Sequence, residues 1–182
     1  MNLKEFINSH NVEYSNNCID NSEIPNLESL MSVTFGEQLK EYLLNYGYLG
    51  YEFVELFGIN KKAMDRSDMV KETQYLHSWF PITENLIAIE DQGDGDYCLV
   101  DKDDSVYHYF SSINALTKTT LKLFEYILER FDFVNKIYKD AQKDRITVKS
   151  EEVKFINEEN LAELDIKCYD NKKNADGLNS DK

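Results

Sequence analysis

Three aspartates in a glycine-rich stretch are the residues whose type and spacing could do chemistry. They are Asp91, Asp94 and Asp96, and grouped carboxylates are typical ligands of Ca²⁺ and Mg²⁺. A calcium loop needs oxygen ligands at its first, third and fifth positions and a glutamate at its twelfth. Counting from Asp91, the third position is Gly93 and the twelfth is Lys102. The calcium template therefore fails, and we assign no metal and no cofactor to the chain.

The other residue types that carry catalysis are scattered. The three histidines and three cysteines are His10, His77 and His108, and Cys18, Cys98 and Cys168. No pair has the spacing of a zinc site or a disulfide framework. The chain also lacks the Gly-x-Ser-x-Gly, His-Glu-x-x-His and phosphate-loop motifs. We predict that the protein is not an enzyme, and a divalent-metal carboxylate enzyme is the least favoured hypothesis.

Net charge restricts the partners. The formal charge is −14 with an isoelectric point near 4.6, so long-range repulsion disfavours nucleic acid and anionic membranes. No apolar run is long enough to span a bilayer, and the N-terminus does not resemble a targeting leader. These features predict a cytoplasmic protein. The charge fits either a basic protein partner or a solvated acidic surface.

The acidic residues concentrate in a predicted β meander. Two apolar runs, 86–90 and 96–100, flank a turn of glycine and aspartate, and a third run covers 106–110. This alternation of strand and turn chemistry is typical of hairpins. Between positions 84 and 104 there is one lysine against eight acids: Glu84, Glu90, Asp91, Asp94, Asp96, Asp101, Asp103 and Asp104.

Helical patterns surround the meander. Before it, apolar spacing predicts helices over 3–9, 26–31 and 36–46, the last ended by Gly47. A strand is predicted over 48–57, with a loop over 10–25. A fourth helix is predicted from an N-cap at Ser67 to about Trp79.

After the meander, the strongest apolar stripe predicts a long helix that starts at Thr117 and bends or breaks near Asp132. Beyond it we expect a short strand over 146–148, a weak helix over 158–164 and a disordered end from Asp170. The domain prediction is an α+β domain over 1–142 with a charged C-terminal extension over 143–182. Its antiparallel meander is flanked by helices, the last of them long.

Two motifs resemble the SUKH superfamily. Asn45-Tyr46-Gly47 is similar to a turn that follows a helix in that family, and the segment 93–101 is similar to its hairpin signature. A Leu-Pro pair that often precedes the first good helix is replaced here by 33–35. The family includes bacterial immunity proteins and a fungal cell-wall-synthesis regulator. The resemblance implies an antiparallel sheet flanked by helices, no catalysis, and tight binding to a toxin domain, often a nuclease.

The leading hypothesis is therefore an immunity protein that neutralises a cognate polymorphic toxin domain, expected to be basic, for example a nuclease. Its alternative is a non-catalytic adaptor resembling the fungal regulator. Carboxylates would mimic the phosphates bound by a nuclease, and tyrosines among them would supply affinity. The predicted toxin-binding residues are Glu90, Asp91, Asp94, Asp96, Tyr97, Asp101, Asp103, Asp104, Tyr107 and Tyr109.

Overall fold

The computed structural model describes residues 1–15, 18–59 and 68–155, with side chains as far as residue 141. Met1–Asn135 form one compact unit and Lys136–Lys182 a second. The division of the chain into a domain over 1–142 and an extension over 143–182 stays a prediction. The weak helix predicted over 158–164 and the disordered end predicted from Asp170 lie outside the described residues.

Five α-helices are present within the described residues. They are α1 (Leu3–Ser9), α2 (Ile24–Met31), α3 (Glu37–Asn45), α4 (Met69–Trp79) and α5 (Leu123–Phe155). The start of α1 is fixed by a capping box in which Asn2 and Glu5 satisfy each other's backbone N–H groups. The end of α3 is followed by Gly47 at φ 68°, a left-handed conformation that glycine adopts without cost.

Seven strands form two antiparallel sheets. The smaller sheet has the order β1-β2-β3, and the larger has the order β4-β5-β6-β7. Their bounds are β1 (Glu13–Tyr14), β2 (Leu49–Tyr51), β3 (Val54–Leu56), β4 (Ile87–Gly93), β5 (Asp96–Val100), β6 (Ser105–Phe110) and β7 (Ala115–Lys122). Just beyond β3, the Phe57 amide donates to the Ile89 carbonyl in β4 at 2.7 Å. The α+β class, the meander and the C-terminal helix are confirmed.

The predicted strand over 48–57 is wrong, because two short strands and a tight turn replace it. β2 and β3 pair Tyr51 with Val54, which leaves Glu52 and Phe53 at the tip. Glu52 adopts φ 55°, an uncommon conformation for a residue with a Cβ atom. The loop predicted over 10–25 also contains β1, which pairs with β2.

The predicted helix start at Thr117 is also wrong, because residues 115–122 form β7. The run Thr117-Lys-Thr-Thr120 carries three β-branched threonines, which favour strands. α5 begins only at Leu123 and continues as a single helix to Phe155. It therefore has no break at Asp132, and it includes the segment 146–148 that was predicted as a strand.

The predicted N-cap of α4 shifts by one residue. Asp68 holds the position, and its carboxylate accepts hydrogen bonds from the Val70 and Lys71 amides. Ser67 itself lies outside the described residues. The shift leaves the buried face of α4 unchanged: Met69 and Leu76 are buried, as the pattern predicted.

The first turns of α5 pack into the hydrophobic core of the Met1–Asn135 unit. The buried side chains of α5 include Leu123, Ile127, Phe131 and Val134, at the spacing of one helical face. The Phe131 ring lies 5.8 Å from the Phe6 ring and 5.4 Å from the Tyr51 ring, centroid to centroid. The N-terminal helix and the small sheet therefore share a core with the long helix.

Candidate partner-binding surface

The ten predicted contact residues separate toward the two ends of β5. Asp96 at one end and Asp101 just past the other are five residues apart, or roughly 17 Å along an extended strand. The end that carries the β4–β5 turn is called the cleft end. The end that carries the β5–β6 turn is called the capping end, since one of its carboxylates caps a helix.

At the capping end, Asp104 is a structural residue. It is buried, and its carboxylate accepts hydrogen bonds from the Gln38 amide at 2.9 Å and the Leu39 amide at 3.0 Å. It thereby supplies the cap of α3 that Gly36, the residue at the N-cap position, cannot provide. A Cβ atom on Gly36 would lie 2.1 Å from the Asp104 Oδ1 atom, so this approach requires glycine.

Asp101 is held by the same turn. Its carboxylate accepts hydrogen bonds from the amides of Asp103 (2.9 Å) and Ser105 (2.8 Å) and from the Tyr107 hydroxyl (3.0 Å). Partial burial pushes the pKa of Asp101 up, but these hydrogen bonds and the Lys118 ammonium outweigh it, so the pKa lies below its ordinary value.

Cations also balance the capping end. Lys118 lies 3.7 Å from the Asp101 carboxylate, and Lys102 pairs with Asp103 at 3.1 Å. Lys122 donates to the Asp103 carbonyl at 2.6 Å. The acids at this end are therefore largely committed to the turn and to α3.

The cleft end opens into a cleft of about 710 Å³. Four elements line it: the hairpin that contains β3, the first turns of α4, the end of β4, and α5. The lining residues are Phe53, Glu55, Phe57, Glu72, Glu90, Asp91, Gln92, Gly93 and Arg130. Its volume lies within the range of about 300–1,000 Å³ that ligand sites occupy, but its lining is mainly acidic.

A buried ion pair forms part of the cleft lining. Glu90 is only 2% exposed, and Arg130 donates to its Oε1 atom from Nε at 3.0 Å and from Nη2 at 2.8 Å. The Tyr126 hydroxyl donates to the other Glu90 oxygen. Burial raises the pKa of Tyr126, and the neighbouring Cys98 and then the charge of Glu90 raise it further, so that hydroxyl remains a donor. Burial likewise raises the pKa of the neighbouring Cys98 thiol.

The remaining cleft acids differ from Glu90. Glu55 and Asp91 are exposed, Asp91 accepts from the Gly93 amide at 2.8 Å, and Glu72 accepts from the Tyr97 hydroxyl at 3.3 Å. Within the described residues, no lysine or arginine forms an ion pair with these three carboxylates. Because Glu90 and Arg130 offset each other, three of the four cleft carboxylates have no cationic partner in that part of the chain.

Exposed aromatic side chains lie on two of the elements that line the cleft. Phe53, at the tip of the β2–β3 turn, is 64% exposed. On α4, Tyr75 is 48% and Trp79 is 69% exposed, and both follow Glu72 at helical spacing, on one side of the helix. Large aromatic groups left in water beside charges are typical of protein-binding surfaces.

The predicted residues thus have unequal positions. Asp91 and Asp94 are exposed at the cleft end, and Asp96 is half-buried, accepting from the Ser111 amide at 2.9 Å. Tyr97 and Tyr109 are buried, Tyr109 completely, as is Glu90. The remaining four predicted residues lie at the capping end. Within the described residues, no group of three or more His, Cys, Asp or Glu side chains is placed to hold a metal ion.

Sequence reasoning missed six residues of this surface: Phe53, Glu55, Glu72, Tyr75, Trp79 and Arg130. The signal for Tyr75 and Trp79 was present, since both fall off the buried side of α4 marked by Met69 and Leu76. No local signal identified Phe53, because the aromatic and β-branched residues of the run 48–57 are spread along its length and predict a single strand. Arg130 is distant in sequence from Glu90, and only the packing of α5 brings them together.

Comparison with known proteins gives a family match. Residues 3–132 match the SUKH_5 family, described as SMI1-KNR4 cell-wall. No curated protein matches the chain. A crystal structure of a protein from Pseudomonas syringae pv. tomato is similar, with a TM-score of 0.49 and 16% identity, covering 65% of this chain and 85% of that chain. Across the described residues, no helix has the length and apolarity to cross a membrane.

Proposed function

The chain belongs to the SUKH superfamily, in the family described as SMI1-KNR4 cell-wall, and from that premise we propose that it is a non-catalytic immunity protein. It binds a basic toxin domain, such as a nuclease, in the cytoplasm of the producing cell and blocks it. The observation that carries the proposal is the cleft end, where uncompensated carboxylates and exposed aromatic side chains lie together.

The negative charge of this surface accounts for the fast association with a basic partner that an immunity protein needs. An acidic surface attracts a basic partner over a distance and raises the association rate well above that of an uncharged pair. A nuclease binds phosphates through basic side chains, and carboxylates occupying the same positions would exclude its substrate. Glu55, Glu72, Asp91 and Asp94 are the acids that would act in this way, because no lysine or arginine among the described residues forms an ion pair with them.

Aromatic side chains explain the affinity. Binding energy at protein interfaces concentrates in a few large residues that lose their contact with water, chiefly Trp, Tyr and Arg. Trp79 and Tyr75 meet this description on α4, and Phe53 is a further exposed ring, at the tip of the small sheet's hairpin. The proposed contact surface is therefore narrower than the sequence-based one and shifted toward α4: Phe53, Glu55, Glu72, Tyr75, Trp79, Asp91 and Asp94.

The test is rescue of growth. Toxin domains encoded beside this gene are sought, and each one found is expressed in bacteria, alone or together with the chain. We expect the chain to restore growth, and a Trp79→Ala, Tyr75→Ala double variant to restore it poorly while remaining folded. Normal toxicity in the presence of the intact, folded chain would contradict the proposal, as would a pull-down that returns several host proteins and no toxin domain.

A further inference from the structure

We propose that the cleft at the cleft end binds an arginine side chain of the protein partner, with the guanidinium between the Phe53 ring and the carboxylates of Glu55, Glu72 and Asp91. This inference rests on the proposed function, since the arginine belongs to the toxin domain. What is new is the identity of the side chain that anchors the complex and the place where it binds. The exposed aromatic ring, the charge of the cleft and its rigidity support this inference.

The Phe53 ring is exposed for a structural reason. The turn between β2 and β3 contains only Glu52 and Phe53, and its flanking residues Tyr51 and Val54 are buried. Phe53 therefore cannot fold back into the core and instead lines the cleft. An aromatic face beside carboxylates is a favourable position for a planar cation, which gains from the ring and from the charges together.

The charge of the cleft selects a cation. Its lining holds four carboxylates and one guanidinium, and Glu90 is already satisfied by Arg130. Glu55, Glu72 and Asp91 remain for a partner. Their position beside Phe53 favours arginine over lysine, because a guanidinium can stack on a ring and bind a carboxylate through two parallel N–H groups at once.

The wall of the cleft is fixed before binding. Gln92 donates to the Tyr126 hydroxyl at 3.1 Å, and its carbonyl oxygen lies 3.1 Å from His108 Nδ1. Tyr126 in turn holds Glu90, which holds Arg130. This continuous set of hydrogen bonds joins β4, β6 and α5, so little ordering entropy is lost when a side chain enters.

The experiment is a titration of the isotopically labelled full chain, followed by amide NMR shifts. The probes are Nα-acetyl-arginine amide, Nα-acetyl-lysine amide, Nα-acetyl-citrulline amide and spermidine. We expect the arginine probe to shift the amides of Phe53, Glu72 and Gly93 and to bind about fivefold more tightly than the lysine probe. The citrulline probe, which keeps the shape without the charge, should cause no shift at these amides.

Variants separate the contributions. We expect Phe53→Ala to weaken binding of the arginine probe by about threefold to fivefold, and Glu72→Gln to weaken that binding to a similar extent. The matched controls are Phe133→Ala, another exposed ring, and Glu41→Gln, another exposed helical acid; both should bind the probe normally. All four positions are at or near the surface, so these variants should fold.

Three outcomes would overturn the arginine cleft: equal binding of the citrulline probe, tighter binding of spermidine than of the arginine probe, or shifts confined to other amides. The growth-rescue assay separates this inference from the proposed function. If Phe53→Ala, Glu72→Gln protein loses the probe but still rescues growth fully, the cleft is not the anchor and the immunity function stands. If the probe binds as expected and the intact chain fails to rescue, the cleft stands and the proposed function falls.

Discussion

The two ends of β5 both carry carboxylates but use them differently. At the capping end, Asp101 and Asp104 accept backbone amides and so build the turn and the start of α3. At the cleft end, Glu90 pairs with Arg130 and Tyr126, and Asp96 accepts from the Ser111 amide. Glu55, Asp91 and Asp94 remain exposed.

This difference shows why acidic composition alone does not locate a binding surface. A carboxylate that caps a helix or pairs with a lysine contributes to folding and leaves little field for a partner. A carboxylate without such a partner is repelled by its neighbours, which costs stability, and a protein retains it most readily where a cationic partner relieves the repulsion. The cleft end matches the second description, so variants at the cleft end and at the capping end should have different effects.

The largest effect should come from breaking the ion pair beneath the cleft. Arg130→Met leaves the buried Glu90 carboxylate uncompensated, and we expect the free energy of unfolding to fall by about 3–5 kcal/mol. Urea denaturation measures it. Lys118→Met, which removes the exposed partner of Asp101 at the capping end, should cost no more than about 1 kcal/mol.

A double variant gives the control for the ion pair. Glu90→Gln combined with Arg130→Met removes both charges, so much of the stability lost in the single variant should return. If Arg130→Met were no more damaging than Lys118→Met, the pair would not be energetically buried, and the view of a fixed cleft would be wrong.

The next effect concerns the cap of α3. Asp104→Ala removes the acceptor for two backbone amides, and we expect a loss of about 2 kcal/mol in the free energy of unfolding. Asp103→Ala, at an exposed position in the same turn, should change it by no more than about 0.5 kcal/mol. Equal losses in the two variants would mean that Asp104 does not act as the cap.

The smallest stability effect is pH-dependent. The pKa of Asp101 lies below its ordinary value of about 3.9, so the stability that its charge contributes is present above that pH and is lost as the pH falls through the folded-state pKa. Asp101→Asn should therefore be less stable than wild type at pH 6 by about 1 kcal/mol. The difference should vanish in strong acid, and a difference that stays constant with pH would contradict the assignment.

Local chemistry predicted much of this fold. The meander, the glycine after α3 and the apolar faces of α1 and α4 all depend on residues close in sequence. The predictions failed where neighbours outweigh local pattern: Glu52 accepts an unfavourable backbone conformation because the strands on both sides pair, and residues 115–122 extend because β6 offers a partner.

The candidate site was less predictable than the fold. The sequence located Asp91 and Asp94 within the meander but missed Glu55 and Glu72, and it could not show which acids were committed to folding. Asp104 lies 66 residues from the Gln38 amide that it caps, and Glu90 lies 40 residues from Arg130. Contacts of that range depend on the assembled core rather than on any local motif, and they decide which carboxylates remain for a partner.

The most direct test compares association kinetics with a basic toxin domain that the chain neutralises in the growth-rescue assay. One variant removes three acids at the cleft end: Glu55→Gln, Glu72→Gln and Asp94→Asn. Its control removes three exposed acids elsewhere, with the same change in net charge: Glu41→Gln, Glu84→Gln and Asp103→Asn. Surface plasmon resonance at several salt concentrations measures both.

We expect the cleft-end variant to associate with the toxin domain about tenfold more slowly at low salt, and its association rate to depend less on salt. The control should change the association rate by less than about twofold. Equal slowing in the two variants would show that net charge alone steers the partner. Greater slowing in the control would mean that the toxin domain binds away from the cleft end, and that the cleft end is not the binding surface.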